Sequence, residues 1–445
     1  MVPQTQGKTQ SFPEKQLLDY EHVPVPRHIS TTWMHIAFIF LGIVIAVPGF
    51  LLGGSLGTAL PLKEVIIAVY GGAAVLTVIG LLTGIIGAQT KQSTAQILTS
   101  SFGVYGARFL SVVLGLTLFG WFSINTELFA QSLHYIIAML TGIDIHLVWL
   151  TLFGGLTMTT TAVIGFRGID KLSIIAVPPL AILIGVSVVL IMHGHSLAEL
   201  FSIVPQGTPM TLGTALSVVI SVFIVGATIN PDVTRYARNS YHAAGAVLIG
   251  FLFGFPTVLL IGSLLAKATG SGDLVTMLAF MGFGVTAFLV LLLATWTTND
   301  NNLYSSSLDF SHLFVHIPRW KLCLGAGVVS TIIAMVGIID RFIPFLSLLA
   351  MLIPPIVGVY ITDFFLMRKR YAARAPRVAV CAVRYTSLFA WLCGVVISFL
   401  TTPVGQLGLG FFTLTTVPAL DAMLVAMVMQ LFVVVTAGRF ASHPV

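Results

Sequence analysis

The chain has 445 residues, and it is rich in hydrophobic side chains and poor in charges. Hydrophobic residues make up 57% of it and charged residues 8%, against about a quarter charged in a typical soluble domain. This composition excludes a water-soluble globular protein and an intrinsically disordered chain, which needs low hydrophobicity and high charge. The three cysteines have no paired spacing, so neither a disulfide framework nor a zinc site is predicted. The composition indicates a protein of the lipid bilayer.

Long apolar stretches recur along the chain. Each has at least 18 residues with almost no charge, enough to cross roughly 30 Å of hydrocarbon as an α-helix. The sequence predicts twelve such spans, at residues 33–58, 64–88, 108–139, 146–165, 171–193, 212–236, 241–266, 281–309, 321–338, 343–366, 382–402 and 415–437. Residues 1–30 are polar and lack the basic start and apolar core of a signal peptide. We expect them to form a cytoplasmic N-terminal segment.

The lysines and arginines fall mainly on one side of the predicted membrane. With the N-terminus inside, 18 of the 21 basic residues lie in inner segments, and only Lys63, Lys267 and Arg341 lie outside. Because inner loops of membrane proteins retain positive charge, we expect a multi-pass protein of the cell (inner or plasma) membrane with both termini in the cytoplasm. The basic net charge then reflects topology, and no nucleic-acid partner is expected.

Two apolar spans are interrupted in the middle. Span 1 contains Pro48 and Gly49, and span 6 contains Gly226 and Pro231. Proline removes a backbone donor and glycine loosens the helix, so each place frees carbonyls or amides within the membrane, which is tolerated where they line a cavity. A simple kink is the alternative for either span alone. Two breaks in corresponding positions favour a functional role.

The two breaks also indicate an internal repeat. Gly226 follows Pro48 by 178 residues, and the same offset carries the starts of spans 2, 4 and 5 close to those of spans 7, 9 and 10. Since five spans is an odd number, the second repeat is inverted in the bilayer, as in many secondary transporters with a substrate near the midplane. The predicted fold is an all-α integral membrane protein of 12 transmembrane helices, a 5+5 inverted repeat plus two extra helices. Its predicted parts are residues 1–30, the first repeat 31–200 broken near 47–49, the second repeat 205–370 broken near 225–231, and residues 371–445 with helices 11 and 12 and a short cytoplasmic tail.

Span 8 carries groups suited to binding a cation. Thr298 lies one turn after Ala294 and about 40° round the helix, so its hydroxyl is expected beside the Ala294 carbonyl. Together with Thr297 and with carbonyls freed by the break from Ala46 to Gly49, these oxygens would form a site that fits Na+. The alternative is that the two threonines only bond back to their own helix, as is common in membranes.

Span 3 carries groups suited to binding a flat ring. Trp121 and Asn125 are one turn apart and share a stripe of the helix. The 178-residue offset relates Trp121 to Asn299 in span 8, so both are expected to face one central site. Phe223, just before the break in span 6, would present a second aromatic face. A single aromatic residue in a span more often faces lipid or core, so the convergence of these residues carries the prediction.

Glu127 is predicted to be the only acidic residue well inside a span. It shares a helix face with His134, seven residues along. The functional interpretations are a substrate contact or a proton carrier, and the alternative is a hydrogen bond to a neighbouring helix. Asp300 and Asp309 are placed at or toward the inner end of span 8, where solvation or pairing with arginine would account for them.

Several motifs resemble those of one known family. They are GGSLGTAL after span 1, FGWF in span 3, PDVTRYARN after the sixth break, WTTNDNNLYSSSL in span 8 and LIPPIVGVYITDFFLMRKRY in span 10. In this order, over roughly residues 28–371, they resemble the cytosine and purine-cytosine permeases of the nucleobase:cation symporter-1 family. The resemblance implies a LeuT-type fold of ten plus two helices and ion-driven uptake of a nucleobase-like ring.

The resemblance also implies roles for individual residues. It places a ring between Trp121 and Phe223 with a hydrogen bond from Asn299. It places Na+ on the carbonyls of Ala46, Gly49 and Ala294 and on the hydroxyls of Thr297 and Thr298.

Two departures from the cytosine permeases bear on the substrate. Val222 stands where they resemble each other with a serine, and Ala294 stands where they carry an asparagine, whereas Asn125 is similar to the pattern in purine-cytosine and hydantoin carriers. A site that loses matched polar groups discriminates strongly between rings. Which ring is carried therefore stays open.

These observations together predict a secondary transporter rather than an enzyme. We expect it to import a nucleobase or related planar N-heterocycle with Na+ by alternating access. The alternative is proton-coupled import of hydroxymethylpyrimidine, hydantoin, allantoin or a similar ring through Glu127 and His134. A channel or a membrane enzyme is a more remote alternative, because the sequence shows neither a continuous polar pore nor an acid–base set. No ATP-binding loop is present. The expected partners are the small-molecule substrate and the bilayer, with no obligate protein partner.

Overall fold

The computed structural model describes residues 24–44, 46–164, 188–273, 285–311, 316–367 and 381–441, with a few single residues between these ranges. This part of the chain is helical, and its only β feature is a bridge between Thr31 and Ala237. The helices are α1 (Trp33–Val44), α2 (Val47–Ala59), α3 (Leu62–Thr90), α4 (Thr94–Thr141), α5 (Leu147–Ile164), α6 (Leu197–Ser202), α7 (Leu212–Thr228), α8 (Pro231–Thr234), α9 (Ser240–Val247), α10 (Phe255–Thr269), α11 (Val285–Ser311), α12 (Arg319–Met335), α13 (Phe342–Leu366), α14 (Tyr385–Thr401) and α15 (Pro418–Ala441). A π-helical stretch, Leu248–Gly254, joins α9 to α10, and a 3-10 turn, Ile339–Arg341, leads into α13.

Six helical runs in the described residues are long and apolar enough to cross a membrane. They are Leu62–Thr90, Thr94–Thr141, Leu212–Thr234, Ser240–Thr269, Ile339–Leu366 and Pro418–Thr436, and α1 with α2 makes a seventh if the bent pair is one span. Helices α5, α11, α12 and α14 occupy predicted spans 4, 8, 9 and 11 but are not among these six. Predicted span 5, at 171–193, lies largely outside the described residues. The all-helical architecture is confirmed, and the count of twelve spans stays a prediction.

Predicted span 3 lies within a longer helix, α4, which starts at Thr94. Helix α4 begins at Thr94 with a capping box from Ser93 and Gln96, and it bends at Gly103, whose φ of 78° is in the left-handed region. Glycine adopts this region without steric cost. The kink therefore separates a short first segment from the long membrane-crossing part that carries Trp121.

The first span is broken where the sequence predicted. Helix α1 ends at Val44, Ala46 is extended with φ −121° and ψ 150°, and α2 begins at Val47 with Pro48 in its first turn. Proline is favoured in a first turn because its missing N–H would be unpaired there in any case. The break thus exposes the N-terminal end of α2 within the bundle.

The sixth span is broken inside the predicted stretch 225–231, at its proline end. Helix α7 continues through Gly226 to Thr228, and α8 begins at Pro231. Pro231 has no N–H for the Ala227 carbonyl, and the hydroxyl of Thr83 donates to that carbonyl instead, at 3.0 Å. The Tyr360 hydroxyl donates to the Thr228 carbonyl at 2.9 Å. The proline, rather than the glycine, fixes the break, and side chains of α3 and α13 supply the donors that the helix lost.

Half-helix α2 is held tightly against α10. A Cβ atom on Gly53 would lie 2.2 Å from the Leu259 carbonyl oxygen, so only glycine permits this approach. The Ser263 hydroxyl donates to the Gly53 carbonyl at 2.8 Å, and buried Lys267 donates to the Leu60 carbonyl at 2.9 Å just past the C-terminal end of α2. Cations are favoured at that end of a helix dipole. Helix α2 is therefore fixed at its middle and at its end.

Candidate substrate and cation site

The two threonines of the predicted cation site share one acceptor. Thr297 and Thr298 each donate their hydroxyl proton to the carbonyl oxygen of Ala294, at 2.8 Å and 3.0 Å. Both residues are part of α11, which packs against α2. The three α11 groups named from the sequence are thus adjacent, as the helix geometry predicted.

The other two predicted ligands lie at the start of α2. The Ala46 carbonyl accepts a hydrogen bond from the Gly49 amide at 3.0 Å, closing the first turn, and Gly49 backs onto Val258 of α10. The bonds of Thr297 and Thr298 to Ala294 are also those of the alternative, in which the threonines bond back to their own helix. The assignment of all five residues to one Na+ site stays a prediction.

Trp121 is buried against the first turns of α13. Its ring makes edge contacts with Phe345, at 5.4 Å between centroids, and with Phe342, at 6.3 Å. Asn125 donates its amide to the Trp121 carbonyl at 2.9 Å, and its Oδ1 is buried with no hydrogen-bond partner among the described residues. Because an acceptor carbonyl must face the NH2 group, the free atom of Asn125 is the oxygen. Tryptophan and asparagine are on one stripe, as predicted.

Phe223 belongs to a different aromatic group. Its ring lies over Gly226 of its own helix, 4.9 Å from Phe251 edge-on and 5.5 Å from Phe255. Val222 beside it is half-buried. Helices α4 and α7 contact each other, but among the described residues the ring contacts of Trp121 and Phe223 do not overlap. A ring held between them stays a prediction.

Asn299 reaches the backbone next to Trp121. Its amide nitrogen lies 3.1 Å from the Phe122 carbonyl oxygen, 3.0 Å from the Thr126 hydroxyl and 3.2 Å from the Met158 sulfur. Its Oδ1 is buried and has no hydrogen-bond partner in the part of the chain that the structure describes. That Trp121 and Asn299 face one central site stays a prediction. The side chain joins the two helices, and its role toward a substrate stays a prediction.

Glu127 and His134 have separate partners. Glu127 Oε2 accepts a hydrogen bond from the Ile339 amide at 3.1 Å, and Glu127 is 6% exposed. His134 Nδ1 lies 3.0 Å from the Ile145 carbonyl oxygen, and its Nε2 lies 3.7 Å from Asp144. The hydrogen bond to a neighbouring segment, the alternative named for Glu127, is the one formed.

The expectation that Glu127 is the only buried acid within a span is wrong. Asp300 in α11 is 1% exposed and accepts a hydrogen bond from the Thr161 hydroxyl at 2.7 Å. Thr161 in turn accepts one from the Trp296 indole N–H at 2.9 Å. The threonine-rich run TMTTTA of α5 was the signal for this partner, since its hydroxyls can donate to a buried carboxylate.

The sequence was compared with known proteins. Residues 23–424 match the family described as permease for cytosine/purines, uracil, thiamine, allantoin. The cytosine permease of Escherichia coli strain K12 is 31% identical over 377 residues, covering 85% of this chain and 88% of the relative. The hydantoin permease of Microbacterium maritypicum is 24% identical over 405 residues, covering 82% and 81%.

Solved structures share the fold. The inward-facing conformation of Mhp1 gives a TM-score of 0.80 at 19% identity, covering 94% of this chain and 93% of that one. A Na+-coupled sialic acid symporter in an outward-open state gives 0.63 at 13% identity, covering 91% and 90%. The LeuT-type fold implied by the sequence motifs is thereby confirmed. The chain belongs to the cytosine/purine permease family of nucleobase:cation symporters, and it is a multi-pass membrane transporter rather than an enzyme.

Proposed function

We propose that this transporter imports a nucleobase or related planar N-heterocycle together with Na+ by alternating access. In this cycle Na+ joins the start of α2 to α11 and stabilises the outward-open form, the ring then binds beside Trp121, and the helices rock to open inward. The ion drives the change because it binds one conformation more tightly than the other. Both termini lie in the cytoplasm.

The observation that carries the proposal is the threonine pair on α11. Two adjacent hydroxyls give their protons to one carbonyl, on a helix that packs against the broken first span. Hydroxyl and carbonyl oxygens are the ligands that a hard monovalent cation takes, and half-helix ends within a bundle are where such ions bind in transporters. The named Na+ coupling of a structural neighbour supports the same reading.

The substrate class is supported by the character of the buried groups. Trp121 offers an aromatic surface, and Asn125 offers an unpaired amide oxygen one turn away. Neutral groups of this kind suit an uncharged ring with an N–H donor. The relatives named cytosine permease and hydantoin permease carry such rings by name.

Thermal-shift measurements on the purified protein test the proposal. Cytosine, adenine, guanine, uracil, hydantoin and hydroxymethylpyrimidine are each added in NaCl or in KCl at equal ionic strength. A ligand at 100 times its Kd stabilises the folded state by about 2.7 kcal/mol. We expect one ring class to raise the midpoint, and Na+ to enlarge that shift. No shift with any ring in either salt would contradict a heterocycle carrier.

Proton coupling is the second candidate, and it differs in the driving ion. Uptake into liposomes under a Na+ gradient without a pH gradient, and the reverse, separates the two. Uptake that ignores Na+ but follows the pH gradient would replace the Na+ assignment. Counterflow of unchanged labelled ring in the same liposomes would exclude both a channel and an enzyme as the main activity.

A further inference from the structure

Glu127 binds the start of the helix that covers Trp121. Its Oε2 accepts the Ile339 amide proton at 3.1 Å. This amide opens the helical run Ile339–Leu366, where the first backbone N–H groups have no partner within the helix. A carboxylate is the favoured partner at that end of the helix dipole. The contact is therefore a side-chain cap supplied by a different helix.

The same stretch of α4 also holds the next turn of α13. The Phe345 ring lies so close to Gly120 that a Cβ there would be 2.3 Å from it. Phe345 and Phe342 together cover the edge of the Trp121 ring. Phe342 is 4% exposed and Trp121 is 7% exposed. The cap and the Gly120 contact thus lie on one stripe of α4, seven residues apart, and Trp121 lies about 120° round the helix from Glu127.

The turn before α13 directs the backbone amide of Ile339 at Glu127. Gly337 has a φ of 87°, in the left-handed region, which reverses the chain between α12 and the 3-10 turn. The Ser123 hydroxyl, one turn before Glu127, donates to the Ser330 carbonyl of α12 at 2.7 Å. Both sides of this reversal are therefore bound to α4.

We propose that Glu127 is a positioning residue that holds the first turns of α13 over Trp121. In this position α13 blocks access to Trp121 from the side of the membrane that is predicted to face outward. Loss of this cap frees the end of α13 and increases the population in which Trp121 is reachable from outside. The proposal rests on the proposed transport cycle. It gives Glu127 a role that needs the acceptor oxygen and the length of the side chain but not its charge.

Side-specific labelling of a single cysteine tests this role. Leu346 is fully buried one turn beyond Phe342, and Leu346→Cys is made in a full-length background in which Cys323, Cys381 and Cys393 are alanine. A membrane-impermeant maleimide is added to right-side-out vesicles. Leaving a buried amide without its acceptor shifts an equilibrium by roughly fivefold to a hundredfold. We expect Glu127→Leu to raise the labelling rate about tenfold.

Two further variants separate the cap from a role of the charge. Glu127→Gln keeps a carbonyl acceptor at the same reach, so its labelling rate is expected within about threefold of the parent. Glu127→Asp keeps the charge but is shorter by one methylene group, and it is expected to label as fast as the leucine variant. These two variants decide the question even if Glu127→Leu does not fold.

Glu64 provides the matched control. It lies in the first turn of α3 on the same predicted side of the membrane, and Glu64→Leu is expected to leave labelling unchanged. If Glu127→Gln labels fast and Glu127→Asp labels slowly, the proposed capping role is wrong and the role of Glu127 depends on its charge. Equal rates in all Glu127 variants would also overturn it. Because no substrate is added, the outcome is independent of the thermal-shift panel that tests the proposed function.

Discussion

Thr159 of α5 and Thr331 of α12 occupy matching positions in a reciprocal contact. Each hydroxyl donates to the carbonyl four residues earlier, Gly155 at 2.6 Å and Gly327 at 2.7 Å. Each threonine also covers the glycine of the other helix, since a Cβ on either glycine would lie 2.2 Å from the facing threonine hydroxyl oxygen. Thr331 follows Thr159 by 172 residues in the sequence, and Gly327 follows Gly155 by the same number. A two-fold relation between the two predicted repeats would produce this reciprocity.

The reciprocal contact predicts that both glycines are required for packing. Gly155→Ala and Gly327→Ala each force a methyl group into the facing threonine, and overpacking of this kind costs about 1–3 kcal/mol. We expect both variants to lower the thermal unfolding midpoint in detergent. Gly325→Ala, on the same helix as Gly327 but with open space around its Cβ, should leave it unchanged. Thr159→Ala should restore the Gly327→Ala variant, and failure of that rescue would show that the clash is relieved elsewhere.

Periodicity and composition were sufficient for the order of the helices and for the break in span 1. Both follow from local chemistry, because apolar length and the proline-glycine pair act within a few residues. The bond of Thr298 to the Ala294 carbonyl was predictable for the same reason. The break in span 6 falls at the proline end of the predicted stretch, because Gly226 only permits a break, whereas Pro231 enforces the loss of a hydrogen bond.

Contacts between helices were harder to derive. Helical angles place Phe223 on a face of α7, but its rotamer turns the ring over Gly226 toward Phe251. The repeat offset brought Asn299 next to Trp121, but it did not reveal that the amide would bond the Phe122 carbonyl. Asp300 was misplaced because depth was counted from the span end. Such assignments depend on neighbours that sequence spacing does not specify.

The hydroxyl of Tyr360 should stabilise the break in the sixth span. It is the donor found for the Thr228 carbonyl at the end of α7, and it is fully buried. Tyr360→Phe removes one oxygen and leaves that carbonyl unpaired, which should cost about 1–3 kcal/mol. The measurement is thermal unfolding followed by intrinsic fluorescence. Tyr385→Phe, at an exposed position, is the control, and equal midpoints for the two variants would contradict a role at the break.

The partner of Asp300 should be required for stability. Thr161→Val removes the hydroxyl that donates to the buried carboxylate and accepts from Trp296. We expect a loss of about 1–3 kcal/mol, partly recovered by Asp300→Asn in the same chain because a neutral amide is less costly to bury than a carboxylate. Thr160→Val removes an exposed hydroxyl that bonds only back to Leu156. If the Thr160 and Thr161 variants lose the same stability, the hydrogen bonds of Thr161 to Asp300 and Trp296 contribute little to it.

Measurements with and without Na+ should show whether the Thr298 hydroxyl binds the ion. Thr298→Ala deletes one of the two hydroxyls on Ala294, and coupling between two ligands is typically worth 5-fold to 150-fold in affinity. We therefore expect the enhancement of ring binding by Na+ to fall about tenfold, while affinity in Na+-free buffer changes by less than about twofold. Thr298→Ser keeps the hydroxyl and should keep the enhancement. Thr257→Ala is the matched control, because Thr257 makes the same bond to the carbonyl four residues earlier, Phe253, on a lipid-exposed part of α10. An equal loss in the Thr257 and Thr298 variants would mean that the hydroxyl serves only its own helix, and the Na+ assignment would then be wrong.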